Sequence, residues 1–244
     1  MSDAPDPRPS ALAPARMPRP IQPGSGDAVL APDPAAAALL AADPVSVAPR
    51  LLGALLHGRG VTVRLTEVEA YGGSDDPGSH AVRGATPRTR PMFAAPGHVY
   101  AYFSYGMHTC VNLVCGPEGV GAAVLLRAGE VVSGADLAHA RRAAGRSSRG
   151  IPFRDLARGP ARLAQALGVT LADSGSVLAP PDRPELDLLR LEPGEPLLPE
   201  LIAAGPRVGV AGAGGDGEAH PWRFWIAGDP TVSGYRAAVV RRRP

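Results

Sequence analysis

Lysine is absent from this chain: all 25 basic residues among its 244 are arginine, so no side-chain amine is available for Schiff-base chemistry. Cysteine is scarce. Cys110 and Cys115 are the only two, and they stand in no CxxC or Cys/His spacing. They carry neither a disulfide framework nor a zinc signature, and read as packing thiols in a reducing compartment. No apolar run is long enough to span a bilayer, and the N-terminus lacks the basic-then-apolar layout of a secretory signal, so a soluble cytoplasmic protein is expected. Charge of one sign is also missing. A formal net charge of +2 permits a polyanionic partner without requiring one, and the wealth of Ala, Gly, Pro and Arg reads first as coding bias.

A length of 244 residues with 45% hydrophobic content bounds the chain to one good-sized core. Residues 1–43 are rich in Pro, Ala, Asp and Ser, with too few large apolar groups to offset the entropy of ordering, and are expected to be a disordered tail. Within it, Ala35 to Ala42 has the composition of a short helical turn. The folded domain is placed at 44–244, starting with a helix over Pro44 to Leu56 capped by Asp43. Val61 to Val68 alternates as a strand; His98 to Cys115 reads as a hairpin turning near Ser104 to His108; Gly121 to Arg127 is a further strand. Helical patterns cover Ala135 to Ala143 and Gly159 to Leu167. Short strands are expected around Leu186 to Leu191, at Pro206 to Val210 and at Trp222 to Ala227.

Glu67 and Glu69 lie two apart on one strand, which puts both carboxylates on one face with Tyr71 beside them. Spacing alone ranks a solvated strand face ahead of catalysis. Their company raises the second reading: His80, the run Thr86-Pro87-Arg88-Thr89-Arg90, and Tyr100, Tyr102, Phe103 and Tyr105 follow closely, in a chain with only 5% aromatics. Aromatic faces beside arginines suit an unpaired base and its flanking phosphates, although a tyrosine-using core gives the same pattern. The densest positive stretch, Arg141 to Arg162, is either a phosphate-contacting surface or a charged helix face.

These words, in this order, carry a resemblance. Thr66-Glu67-Val68-Glu69-Ala70-Tyr71, His80, Thr86-Pro87-Arg88-Thr89-Arg90-Pro91-Met92-Phe93, Gly97-His98-Val99-Tyr100-Ala101-Tyr102, Tyr105-Gly106-Met107-His108 and Val124-Leu125-Leu126-Arg127 resemble the alkyladenine (3-methyladenine) DNA glycosylase family. Gly159-Pro160, Gln165-Ala166-Leu167, Arg207-Val208-Gly209-Val210, Pro221-Trp222-Arg223-Phe224-Trp225 and Gly228-Asp229-Pro230 extend it over nearly everything after the tail. The resemblance implies an α+β single domain with a curved, largely antiparallel β-sheet, flanking helices and a protruding β-hairpin. It implies Glu69 as the general base that activates water and Arg127 as the residue holding that water. Tyr71 and Tyr102 would sandwich an extruded base with help from His80, Asn112 would line the pocket floor, and Tyr105 would fill the gap left in the duplex. Gly212 departs from the pattern, standing where the family tends to place a larger side chain.

The implied activity is monofunctional base excision: hydrolysis of the N-glycosidic bond of flipped alkylated purines in double-stranded DNA, with no metal or organic cofactor and no membrane partner, by a nucleoid-associated monomer. Two rival readings stay open. In a non-catalytic binder of damaged DNA the tyrosines grip distorted duplex and Glu69 has no base role. In a glycoside hydrolase Glu67 and Glu69 act as the acid/base pair, but two same-face neighbours on one strand are poorly placed to flank a bond from both sides.

Overall fold

A computed structural model describes residues 30–104, 106, 108–144 and 150–238. Its centre is a pair of long antiparallel strands, β2 (Val61–Gly72) and β5 (Ala122–Ser133), and every strand contact in the eight-stranded sheet is antiparallel. On one side β5 continues into β4 (His108–Cys115) and β3 (Val99–Ser104); on the other β2 pairs first with β1 (Leu55–Gly58), which leads to β6 (Arg190–Glu192). The second half of β2 pairs instead with β8 (Arg223–Ile226), and β8 with β7 (Ile202–Gly205). The open sheet with a few helices is the α+β domain expected. The β3–β4 hairpin also forms, with Ser104 facing His108 across its end.

Four helices, α1 (Pro34–Leu40), α2 (Pro44–Val47), α3 (Ala135–Ala143) and α4 (Pro160–Leu167), contribute to one large core against the sheet. Each of the first two starts with an aspartate cap followed by proline: Asp33 accepts from Ala36 N–H, and Asp43 from Val45 and Ser46 N–H. Helix α1 carries fully buried Ala36 and Leu40 into the main core. Folded chain therefore begins N-terminal to the boundary drawn at Asp43, because an alanine-rich turn needs only two apolar side chains on one side to dock. Among the described residues no helix is long and apolar enough to cross a membrane.

Two local expectations are corrected. The helix placed over Pro44 to Leu56 stops after α2 and a 3-10 turn at Ala48–Leu51, since Pro49 has no N–H to continue it and Gly53 takes φ +85°. Leu55 to Gly58 instead forms β1, joined to β2 by Arg59 and Gly60 at φ +47° and +79°, the signature of a two-residue I′ hairpin turn. Arg59 is held in that costly conformation by its bonds to Asp173, Asp187 and the Gly168 carbonyl. Pro206 to Val210 is not a strand; the strand lies just before it as β7, and Gly209 at φ +72° turns the chain away.

Removing residues 1–42 is expected to destabilise the protein relative to a chain starting at residue 30, and Leu40→Ala in the full chain to cost about 2–5 kcal/mol. Urea unfolding checks both; equal midpoints for the two truncations would show that α1 adds nothing.

Candidate active site

The alternation of β2 does not run unbroken. Val61, Val63 and Leu65 enter the main core, but so do Val68 and Ala70, so the core-facing positions change from odd to even between them. The register shows why. Leu65 faces Gly129 and Glu67 faces Ala128, leaving Thr66 as an extra residue; Val68 then faces Leu126, leaving Arg127 as an extra residue on β5. Each is a β-bulge, and one added residue transfers all following side chains to the opposite face. Without the Thr66 bulge, Glu67, Glu69 and Tyr71 would point into the apolar core. Thr66 itself is buried and tied to Thr231 by a 2.8 Å hydroxyl contact.

On the face so created, register aligns Tyr100, Asn112, Leu125, Glu69 and Arg223 across β3, β4, β5, β2 and β8. Tyr102 lies two residues along β3 on the same side, and a small cluster of Ala81, Met92, Tyr100, Val114 and Ala123 supports it. The sheet brings Glu69, Arg127, Tyr71, Tyr102 and Asn112 to a single face.

The two glutamates, both fully buried, are bound differently. Glu67 Oε1 accepts from Arg127 Nε (2.8 Å), Arg223 Nε (2.7 Å) and Ser233 Oγ (3.0 Å), while Oε2 accepts from Ser233 N–H (2.7 Å). Burial pushes its carboxyl pKa up, but the two guanidiniums and Ser233 outweigh this and hold it below the ordinary value. Glu69 Oε1 accepts from Val208 N–H (2.7 Å) and lies 3.2 Å from Arg127 Nη1, and Oε2 accepts from Tyr71 OH (2.9 Å). A carboxylate has about four lone-pair positions, and among the described residues Tyr71 alone donates to Glu69 Oε2. Arg127 bridges the pair and is held firmly charged: burial opposes this, and Glu69 and Glu67 overcome it.

Tyr71 stays protonated, because burial and the adjacent Glu69 charge both raise its pKa, so its hydroxyl donates to Glu69. Tyr102 is raised likewise, with burial the main cause. Tyr100 and Tyr102 stack at 5.5 Å, and His80 meets Tyr102 edge-on at 4.6 Å while its Nδ1 lies 3.2 Å from Tyr100 OH. His80 is thus a member of the aromatic group, in direct contact with Tyr102, and burial together with Arg88 disfavours its protonated form. Asn112 donates to the Tyr100 carbonyl at 2.9 Å, the backbone bond that a lone buried amide needs. Tyr105 lies outside the described residues, as do Arg146 and Arg149.

The arginine-rich stretch is largely structural where it is described. Arg141 donates to the carbonyls of Ala166 and Arg59, Arg142 to Gln165, and Arg158 to the Val232 carbonyl; Arg154 and Arg162 are exposed. Both cysteines are buried free thiols, with Cys115 pushed up to about 12 mainly by burial, the inert kind. Sequence reasoning missed Arg223 and Ser233 on Glu67, and the pair Arg207–Asp76 behind Tyr71. Arg207 and Arg223 sat inside words carrying the resemblance, yet nothing in their spacing announced burial. Among the described residues no three His, Cys, Asp or Glu side chains are grouped to hold a metal ion.

Two buried carboxylates bridged by one guanidinium thus stand beside tyrosine faces, and comparison with known proteins specifies the class. The profile of the family described as methylpurine-DNA glycosylase matches residues 38–230. Similar proteins include one from Streptomyces avermitilis, 53% identical over 203 residues (82% of this chain, 90% of that one), and one from Leifsonia xyli subsp. xyli, 53% identical over 218 residues (87% and 96%). A third, from Nocardia farcinica, is 50% identical over 214 residues (83% and 95%). All three bear the name "Putative 3-methyladenine DNA glycosylase". The chain belongs to the methylpurine-DNA glycosylase family and is a DNA-repair hydrolase of N-glycosyl bonds.

The site also sets an acid limit on stability. Asp76, like Glu67, is held below its ordinary value: burial raises it, but the Arg207 hydrogen bonds and the Gly72 and Gly78 N–H groups prevail. A depressed carboxylate stabilises the fold fully above its unfolded value and loses that contribution as pH falls through the folded one. The melting temperature is expected to hold down to about pH 5 and to fall steadily below it. Equal values at pH 6 and pH 3 in a thermal melt series would contradict this.

Proposed function

We propose that the protein excises flipped alkylated purines from duplex DNA by direct water attack, with Glu69 as the general base. The observation that carries this reading is the asymmetry between the glutamates. Among the described residues Glu67 accepts four hydrogen bonds, from Arg127, Arg223 and twice from Ser233, whereas Glu69 accepts two, from Val208 and Tyr71, beside its ion contact with Arg127. A water seated at Glu69 Oε2 gives one proton to Glu69 while its oxygen bonds to C1′ of the sugar and the C1′–N bond to the purine breaks. A purine alkylated at N3 or N7 is cationic, so it takes the bond's electron pair and leaves neutral without a proton from the enzyme. Arg127, shared by both glutamates, orients the water beside Glu69.

Tyr71 and Tyr102 offer aromatic faces for the extruded base, with Asn112 at the floor between them and His80 at the rim; such faces favour a cationic ring. Flipping costs a few kcal/mol, least for a damaged base. Tyr105 is assigned to the gap left in the duplex on the resemblance alone. Exposed Arg88, 5.7 Å from the Tyr102 ring centroid, sits where a flanking phosphate would pass. The chain supplies all these residues itself, so a monomer suffices, and no lysine side chain is present to form an imine with the sugar.

Base release from methylated duplex DNA tests the assignment, with free bases and strand breaks scored separately. Wild type is expected to release methylpurines without nicking, and Glu69→Gln to be slowed about 10²–10⁴-fold while still binding lesion duplex. A wild type that binds lesion duplex and releases nothing would make the protein a damage binder instead.

A further inference from the structure

Behind the catalytic face lies a guanidinium that the mechanism does not use. Arg207 is 1% exposed, and all five of its N–H groups have acceptors. Nη1 bonds Asp76 Oδ2 at 2.6 Å and the Ala70 carbonyl at 2.9 Å; Nη2 bonds Asp76 Oδ1 and the Gly214 carbonyl, each at 2.7 Å; Nε reaches the same carbonyl at 3.2 Å. Its central carbon stands 4.6 Å from the Tyr71 ring centroid and 5.2 Å from that of Trp222, so the ion lies against both rings. Asp76 is fixed in turn by the N–H groups of Gly72 and Gly78.

The next residue is Val208, whose N–H bonds Glu69 Oε1 at 2.7 Å. Two consecutive residues therefore hold two members of the site, one by a backbone donor and one by a ring contact. The glycines of the flanking loops make this approach possible. A Cβ on Gly214 would lie 2.4 Å from Gly78 N, and one on Gly78 would lie 2.5 Å from Arg207 Nη2.

We propose that Arg207 is the positioning residue of the active site: anchored by Asp76 and Gly214, it sets the Val208 N–H that orients Glu69 and the tilt at which Tyr71 meets the base. Resting on the reading of Glu69 as the base, the inference assigns a task to the glycine-rich loop that departs from the family pattern. Gly214 supplies the carbonyl that only a chain without a side chain at that point brings close enough. Lysine keeps the charge beside Asp76 but has neither the planar fork nor the stacking surface.

The test is single-turnover release of 7-methylguanine from methylated duplex across pH 5–9, using the full chain as wild type, Glu69→Gln, Arg207→Lys and Gly214→Ala. Folding is checked by circular dichroism. Arg207→Lys is expected to be slowed about 10- to 100-fold at neutral pH, the worth of a hydrogen bond to a charged group. Its lower pH limb should also move up, because a carboxylate that loses an N–H donor is less favoured in its charged form. Gly214→Ala, which touches neither Glu69 nor the base pocket, should move the limb in the same direction by less, and decides the matter if Arg207→Lys does not fold. A folded variant slowed with its limb unmoved, or one with the wild-type profile, would overturn the proposal. Full activity in Glu69→Gln would instead overturn the base assignment beneath it.

Discussion

The arrangement depends on the phase reversal at the centre of the sheet. Strand β2 serves two incompatible purposes: its first half must pack valines and a leucine against helices, and its second half must present carboxylates to a polar face. A two-residue period forbids both on the same parity, since Val61 through Tyr71 at odd positions would all point one way. The bulge at Thr66 resolves the conflict, and the matching bulge at Arg127 sends a guanidinium to the same face as the glutamates. The same bulged region is where β8 joins β2, pairing opposite Glu67 and Glu69.

Placing two carboxylates at full burial is costly unless each charge is answered. Here Glu67 and Glu69 meet Arg127 and Arg223, a balanced set, and Ser233 adds two neutral donors to Glu67. The division of labour follows from the donor geometry. Glu67 ties the chain near Ser233 to β2 and fixes Arg127; Glu69 is held at one oxygen by Val208 and Arg127 and at the other by the Tyr71 hydroxyl. A second balanced pair, Asp76 and Arg207, backs the first from beneath Tyr71. Breaking any of these pairs one-sidedly leaves an uncompensated charge, which is why the site doubles as a stability determinant.

Much of this was legible in the sequence and some was not, for identifiable reasons. Strands β3 and β4 appear within the β-branched and aromatic segment His98 to Cys115 read as a hairpin, and α3 matches Ala135 to Ala143 residue for residue. The same-face placement of Glu67, Glu69 and Tyr71 follows from spacing. That this face differs from the one bearing Val61, Val63 and Leu65 does not, because a bulge is a property of two strands and leaves no mark in one. The Arg59–Gly60 turn was hidden because arginine rarely accepts φ > 0; the contacts that hold it, from Asp173 and Asp187, are more than 100 residues away in sequence. Arg207 and Arg223 looked like two arginines among many, and only their neighbours in space distinguish buried anchors from surface charge.

The central claim is that the attacking water sits at Glu69 Oε2. A crystal structure of the chain bound to duplex DNA carrying a non-hydrolysable abasic analogue tests it most directly. The account predicts a water bonded to Glu69 Oε2 and facing C1′ of the flipped nucleotide, with Glu67 still holding Arg127, Arg223 and Ser233. A C1′ atom nearer to a Glu67 oxygen than to Glu69, or a Glu69 carboxylate sealed from the sugar by protein, would contradict it.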